Sequence, residues 1–394
     1  MKTVIVGAGI SGLATAHALL EKQPDLELLV LEASDRVGGK VWSDKTEEGF
    51  LCESGVNAFL DNKPKTLALS QELGLSPITS FDASRHRFVY SENHLHELPA
   101  TPPAFLTSNL LSVPGRLRVM LETLVPRGHQ ADETLAEFAI RRLGQEAFEK
   151  LIDPMASGVY AGDATQLSLE SCFPRIHEVE TEYRSLIVGL LKLQIKAHWE
   201  GNKNTPTAGP GGKLTSFTQG MSALPLAIAN SLENRIRIST AVQSMTREDK
   251  RYALHLGNGE KIEAERIILA CPAHAQAAIL KELDADISDE LNSIPYPSLA
   301  ICCLGYKRDK IKHDLNGFGF LEPSRERQSI IATLWDATIF PQRAPDGKVL
   351  RRSMIGGARA AGLAELQEEE LLDAVRRAFQ DALGINAGPD CRGC

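Results

Sequence analysis

The chain has 394 residues, 43% hydrophobic and 24% charged, a balance that suits a globular protein with room for two or three domains. A formal net charge of −8 argues against nucleic acid as a partner, and no run reaches the roughly 20 apolar residues of a membrane span. The seven cysteines, at 52, 172, 271, 302, 303, 391 and 394, show no framework spacing, so a reducing cytoplasm is expected. Cys391 and Cys394 form a lone CxxC, which predicts no metal site.

The first element starts almost at Met1, so no signal or transit peptide is expected. Residues 3–6, Thr-Val-Ile-Val, read as a buried strand. Gly7-Ala8-Gly9-Ile10-Ser11-Gly12 follows and leads into an apolar helical run over residues 11–20. Strand, GxGxxG and helix in that order predict a dinucleotide-binding turn. Gly7 permits the tight turn, Gly9 lets the backbone approach a pyrophosphate, and Gly12 lets the helix pack on the strand. The N–H groups that open the helix face the phosphates. A second strand, residues 26–31, ends at Glu32, where a carboxylate accepts from ribose hydroxyls. Arg36 and the pair Gly38-Gly39 fit a second close backbone approach to the same cofactor.

Residues 46–57 predict a β-ribbon, 65–75 a helix ending at a glycine, and 87–98 a hairpin ending at Pro99. Residues 102–196 read as helices and proline-punctuated loops, with a break at Gly144, and the polar run 201–212 as a loop. Strand and helix alternation then returns. Residues 222–232 predict a helix; 235–238, 251–256 and 262–269 predict strands, as do 299–306, 330–335 and 350–355. Residues 368–383 place Leu371, Leu372, Val375, Phe379 and Leu383 on one helical face.

The continuation Glu32-Ala33-Ser34-Asp35-Arg36-Val37-Gly38-Gly39-Lys40 resembles the GG-type flavoproteins, which include amine oxidases, phytoene desaturases and protoporphyrinogen oxidases. Further runs resemble the oxygen-dependent protoporphyrinogen or coproporphyrinogen oxidases of haem synthesis. These are Glu53-Ser54-Gly55-Val56-Asn57, where Val56 replaces the family's proline, the hairpin Arg87-Phe88-Val89-Tyr90, and the specific run from Pro154 through Gly158 to Asp163. Ser216 to Pro225, Gly317 to Leu321 and Met354-Ile355-Gly356-Gly357 complete the set.

The resemblance implies an α/β fold: a discontinuous Rossmann FAD domain over 1–80 and 208–298, a mixed-sheet substrate domain over 81–101 and 299–365, a helical insertion over 102–207, and a C-terminal part over 366–394. FAD would be held by Gly7, Ala8, Gly9, Ile10, Ser11, Gly12, Glu32, Ala33, Arg36, Gly38, Gly39 and Lys40. The turn Gly55, Val56, Asn57 and Ala58 would lie against the flavin, and Val242 would contact adenine through its backbone. Arg87 matches a propionate-binding arginine, Leu321, Met354 and Phe318 match pocket walls, and Gly158 matches a glycine that faces the macrocycle. The implied reaction is oxidation of a porphyrinogen by hydride transfer to the flavin, with O2 as the final acceptor. The implied location is cytoplasmic, with peripheral membrane contact through residues 102–127 and homodimerisation as further options. Family members carry a later glycine-rich segment and a closing helix that this sequence lacks, so weak flavin retention is expected. Another flavin amine oxidase or desaturase, or a non-catalytic FAD-fold protein, are the alternative readings.

Overall fold

A computed structural model describes residues 1–99, 101–128, 132–199, 212–326, 329–385 and 388–393. The strand Thr3–Val6 is buried along its whole length, as the centre of a parallel sheet requires. It lies between Leu28–Leu31 and Arg266–Leu269, and Ile236–Arg237 completes a four-stranded parallel sheet. The helix Ile10–Lys22 packs Leu13 and Ala16 onto this sheet together with Leu224 and Ile228 of the helix Ala223–Ser231. Residues far apart in sequence therefore share one core.

One predicted strand is in fact two. Within residues 262–269, Lys261–Ala264 joins an antiparallel meander with Val242–Glu248 and Arg251–Leu256, while Arg266–Leu269 joins the parallel sheet. The chain changes sheets at Glu265, whose carboxylate accepts from the Lys2 amide at 2.6 Å. Both halves are apolar, Ile262 and Ala264 buried and Ile267 and Leu269 partly so, and hydrophobicity alone gives no break signal.

A seven-stranded mixed sheet runs Cys391–Gly393, Leu299–Lys307, Lys348–Gly356, Ala332–Leu334, Gly319–Leu321, Phe88–Ser91, His94–Glu97. The short strand Gly319–Leu321 was not anticipated from the sequence as a strand. Side chains alternate across a sheet. One face sends Cys302, Leu304, Tyr306, Phe320 and Ile355 against the helix Glu368–Leu383, whose apolar stripe includes the positions read from the sequence. The opposite face carries Leu321, Leu334, Arg352 and Met354 and looks towards the parallel-sheet half. Leu321 stands opposite Ala332, and Ala332 opposite Met354.

Between these sheets the chain inserts helices that pack on each other through Leu135, Phe138, Phe148, Ala156 and Val179. The helix Leu135–Leu143 opens with a Thr134/Glu137 capping box and stops at Gly144, whose φ is +91°. That is the break expected from the sequence. Arg142, fully buried, pairs with Glu122 at 3.0 Å and with Glu180. The predicted loop 201–212 lies outside the described residues except for Gly212. No helix among the described residues is long and apolar enough to cross a membrane.

Candidate active site

The glycine turn forms as its spacing predicts. A Cβ on Gly12 would come within 1.9 Å of the Gly7 carbonyl oxygen, so only glycine lets the helix sit this close to the strand. Gly9 caps the helix without a side-chain bond, and the first turn, which begins with Ile10 and Ser11, holds no acid. A Cβ on Gly9 would meet nothing within 4 Å. The helix N-terminus therefore opens onto free space, which fits a phosphate-bearing cofactor.

Glu32 ends its strand with one oxygen accepting from the Ala8 amide at 2.7 Å and the other from Ser34 at 2.9 Å. Each carboxylate oxygen keeps a lone pair for a ribose hydroxyl, and Ala33 beside it is exposed. The Gly38 amide donates to the Ala8 carbonyl at 2.8 Å, and Gly9 and Gly38 form a parallel bridge. Arg36 donates to the Gly39 carbonyl at 3.0 Å and lies over the Trp42 ring at 4.2 Å. Lys40 is exposed, with its ammonium 5.3 Å from the Tyr296 ring. Val242 opens its strand beyond Thr240, whose amide donates to the Glu32 carbonyl at 2.7 Å. The glycine turn, Glu32, Gly38 and the approach to Val242 are thus tied to one another by direct hydrogen bonds.

The turn after Glu53 rests on buried charge that sequence reading missed. Glu53 is fully buried; it pairs with Arg343 at 2.8 Å and accepts from Ser43 at 2.5 Å and from the Met221 amide at 3.0 Å. Arg352 donates to the carbonyls of Glu53 at 3.1 Å and Gly55 at 2.7 Å, and its other side lies 3.4 Å from Asp336. Burial raises the carboxyls of Glu53 and Asp336 above their ordinary range, opposed for both by Arg343 and for Asp336 also by Arg352. The proline absent at Val56 is thus offset by a guanidinium clamp on the turn. Val56 is exposed, and the Asn57 side-chain amide is buried with no hydrogen-bond partner. An orphaned buried donor at this turn fits a flavin ring with its carbonyl and nitrogen acceptors. The sequence signal available for this network was the presence of charges, Asp336 and the pair Arg351-Arg352, within strand-like apolar runs.

The wall residues come together from four segments. A Cβ on Gly158, in the helix Asp153–Tyr160, would lie 2.5 Å from the Leu321 side chain. Phe318 and Met354 pack with Ala58 against Leu334, Ile339 and Phe340. The Arg87 guanidinium sits 5.5 Å from the Phe318 ring centre. It is reached by solvent, yet protein crowds it enough for desolvation to push it below the usual arginine range. Among the described residues no carboxylate pairs with it. An unpaired cation above an apolar wall can take a carboxylate in bidentate fashion.

The family described as flavin containing amine oxidoreductase matches residues 10–392. A chloroplastic protoporphyrinogen oxidase from Oryza sativa subsp. japonica is 34% identical, over 96% of this chain and 74% of the relative. The coproporphyrinogen III oxidase of Bacillus subtilis (strain 168) is 31% identical, over 98% and 84%. A crystal structure from Exiguobacterium sp. 255-15, provisionally named a protoporphyrinogen oxidase, superposes with a TM-score of 0.86 at 26% identity, covering all of this chain and 85% of that one. The chain belongs to the flavin-containing amine oxidoreductase family, as an FAD-dependent oxidase of its protoporphyrinogen and coproporphyrinogen oxidase branch.

Proposed function

We propose that this protein oxidises a porphyrinogen, protoporphyrinogen IX or coproporphyrinogen III, to the porphyrin in haem biosynthesis. The observation that carries the reading is the convergence of Gly158, Leu321, Phe318 and Met354, with unpaired Arg87 at the edge, beside the turn that holds Ala58. Porphyrinogens are flexible, largely apolar macrocycles that can settle against such a wall, and they carry carboxylate arms for the arginine.

Bound FAD supplies hydride acceptance at N5 and reoxidation by O2 with release of H2O2. The chain's own residues orient and shield. Arg87 holds one carboxylate arm and so fixes the rotation of the macrocycle. Phe318, Leu321 and Met354 displace water from its face, and Gly158 leaves room where a side chain would intrude. Glu32 and the glycine turn fix the adenosine and pyrophosphate end. The Arg352-clamped turn presents the Asn57 amide to the ring end.

The test is to reconstitute the purified protein with FAD and to offer both porphyrinogens in parallel, with a primary amine as control. Porphyrin fluorescence and peroxide should appear with a porphyrinogen and not with the amine. Peroxide from the amine alone would overturn the substrate assignment, and a chain that takes up no flavin would favour a non-catalytic role.

A further inference from the structure

Gly158, Leu321 and Met354 sit on elements that are distant in sequence, and one side chain joins all three. Arg359 follows the strand Lys348–Gly356, which carries Met354. Its guanidinium pairs with Asp163 at 2.9 Å, just past the helix Asp153–Tyr160, and with Asp153 at the start of that helix. It also donates to Ser324, beyond the strand Gly319–Leu321. Asp153 in turn accepts from the Ser324 amide at 3.2 Å. The backbone repeats the tie, with the Ala358 amide donating to the Ala161 carbonyl at 2.7 Å. Asp153 is 4% exposed and Arg359 27%, so water weakens only part of this grip.

Two further observations give the clamp a task. The gap it spans is tight, because a single added methyl at Gly158 would press on Leu321. Beside the clamp lies a half-open pocket of about 210 Å³, lined by Ser157 of the helix and Ala161 just past it and, across from them, by Glu322, Ile331 and Arg359. The helix is therefore incompletely packed against the elements around Leu321, and packing alone does not fix its spacing from them. We propose that Arg359 is a positioning residue that sets the spacing between Gly158 and Leu321, and with it the seat of the substrate. The functional half of this inference rests on the porphyrinogen reading of the wall.

The test is a double-mutant cycle between Gly158→Ala and Arg359→Met in the FAD-loaded protein, read both as kcat/KM with the preferred porphyrinogen and as thermal midpoint. Arg359→Met alone should lower kcat/KM about tenfold or more, and Arg359→Lys should recover part of the loss. Gly158→Ala should be damaging in the wild type and nearly silent in Arg359→Met, because a released helix can back away from the added methyl. An arginine that served general stability only would give additive losses in both readouts, and additivity overturns the proposal. If Arg359→Met does not fold, Asp163→Asn cuts one arm and the same cycle applies. Wild-type protein without porphyrinogen turnover, but with coupled thermal midpoints, would overturn the substrate reading while retaining the clamp.

Discussion

Replacing Arg352 by methionine isolates what holds the turn at residues 53–57. The change removes two charged hydrogen bonds, to the carbonyls of Glu53 and Gly55, and the partner of Asp336. All of this happens where Arg352 and Asp336 are each 3% exposed. Breaking a buried pair from one side typically costs about 3–5 kcal/mol. The lower end is expected, since burial already raises Asp336 and lets it take up a proton once its cation is gone. Urea unfolding of apo and FAD-loaded protein separates stability from cofactor support. The apo forms should differ by about 3 kcal/mol. The loaded forms should differ by a further ~1.4 kcal/mol for each tenfold loss of flavin affinity. Adding Asp336→Asn should restore part of the apo loss, because no buried charge is then left alone. Wild-type unfolding of Arg352→Met would refute the clamp. Equal losses in apo and loaded protein would refute its part in holding flavin.

Gly9→Asp should abolish flavin binding while leaving the apo thermal midpoint near wild type, since the added Cβ meets open space and the carboxylate repels phosphate; full yellow flavin in the variant would contradict this. Arg87→Ala should lower porphyrinogen kcat/KM by roughly 30-fold, about 2 kcal/mol at the low end for a charge partner reached by water, with flavin absorbance unchanged. Glu322 is 4% exposed with neither oxygen hydrogen-bonded, and burial, with Asp381 and Glu326 nearby, raises its carboxyl well above the ordinary range. Its contribution is complete below the unfolded-state value and is lost as pH rises towards the folded-state value, so Glu322→Gln should match wild type in acid and exceed it in stability at neutral pH. Leu117, Leu121 and Leu124, exposed by 54%, 53% and 77%, should seat the protein on anionic vesicles. Aspartate at Leu117 and Leu121 should abolish co-sedimentation, a better probe than charge reversal at Arg116 or Arg118, whose guanidiniums are held by backbone carbonyls.

The glycine turn was legible because its geometry is local. Gly7, Gly9, Gly12 and Glu32 fall within one strand–turn–helix–strand unit, and each answers to a spacing that sequence displays directly. The helix Leu135–Leu143 was legible for a similar reason, since cap and stop lie within a few residues of it. The wall was not legible as geometry. Gly158, Phe318, Leu321 and Met354 look like core residues one at a time, and only family resemblance singled them out. Their meeting depends on the register that sets Leu321 opposite Ala332 and Ala332 opposite Met354, and that register is fixed by contacts spread over the whole sheet.

Arg351 and Arg352 show why the supporting charges stayed hidden. They are adjacent, equally basic and both buried in the strand Lys348–Gly356. Neighbours in a strand point to opposite faces. Arg352 faces the turn at residues 53–57 and finds two carbonyls and Asp336. Arg351 faces the helix Glu368–Leu383, stacked 5.0 Å from Phe379 and 5.7 Å from Tyr306, and none of its guanidinium nitrogens has a hydrogen-bond partner. Burial pushes Arg351 down to about 9, whereas the cation of Arg352 is met by Asp336 and two carbonyl dipoles. A sequence assigns the pair one character; the pleat assigns one of them to a stacked, desolvated site and the other to the turn at residues 53–57. Exchanging which of the two is neutralised therefore separates the roles: Arg351→Met should be neutral or stabilising, since it removes an unpaired buried charge and leaves no carboxylate behind, while Arg352→Met should be damaging. Equal losses from the two substitutions would mean that the strand's facing, on which the whole placement of Met354 and the wall depends, is wrong.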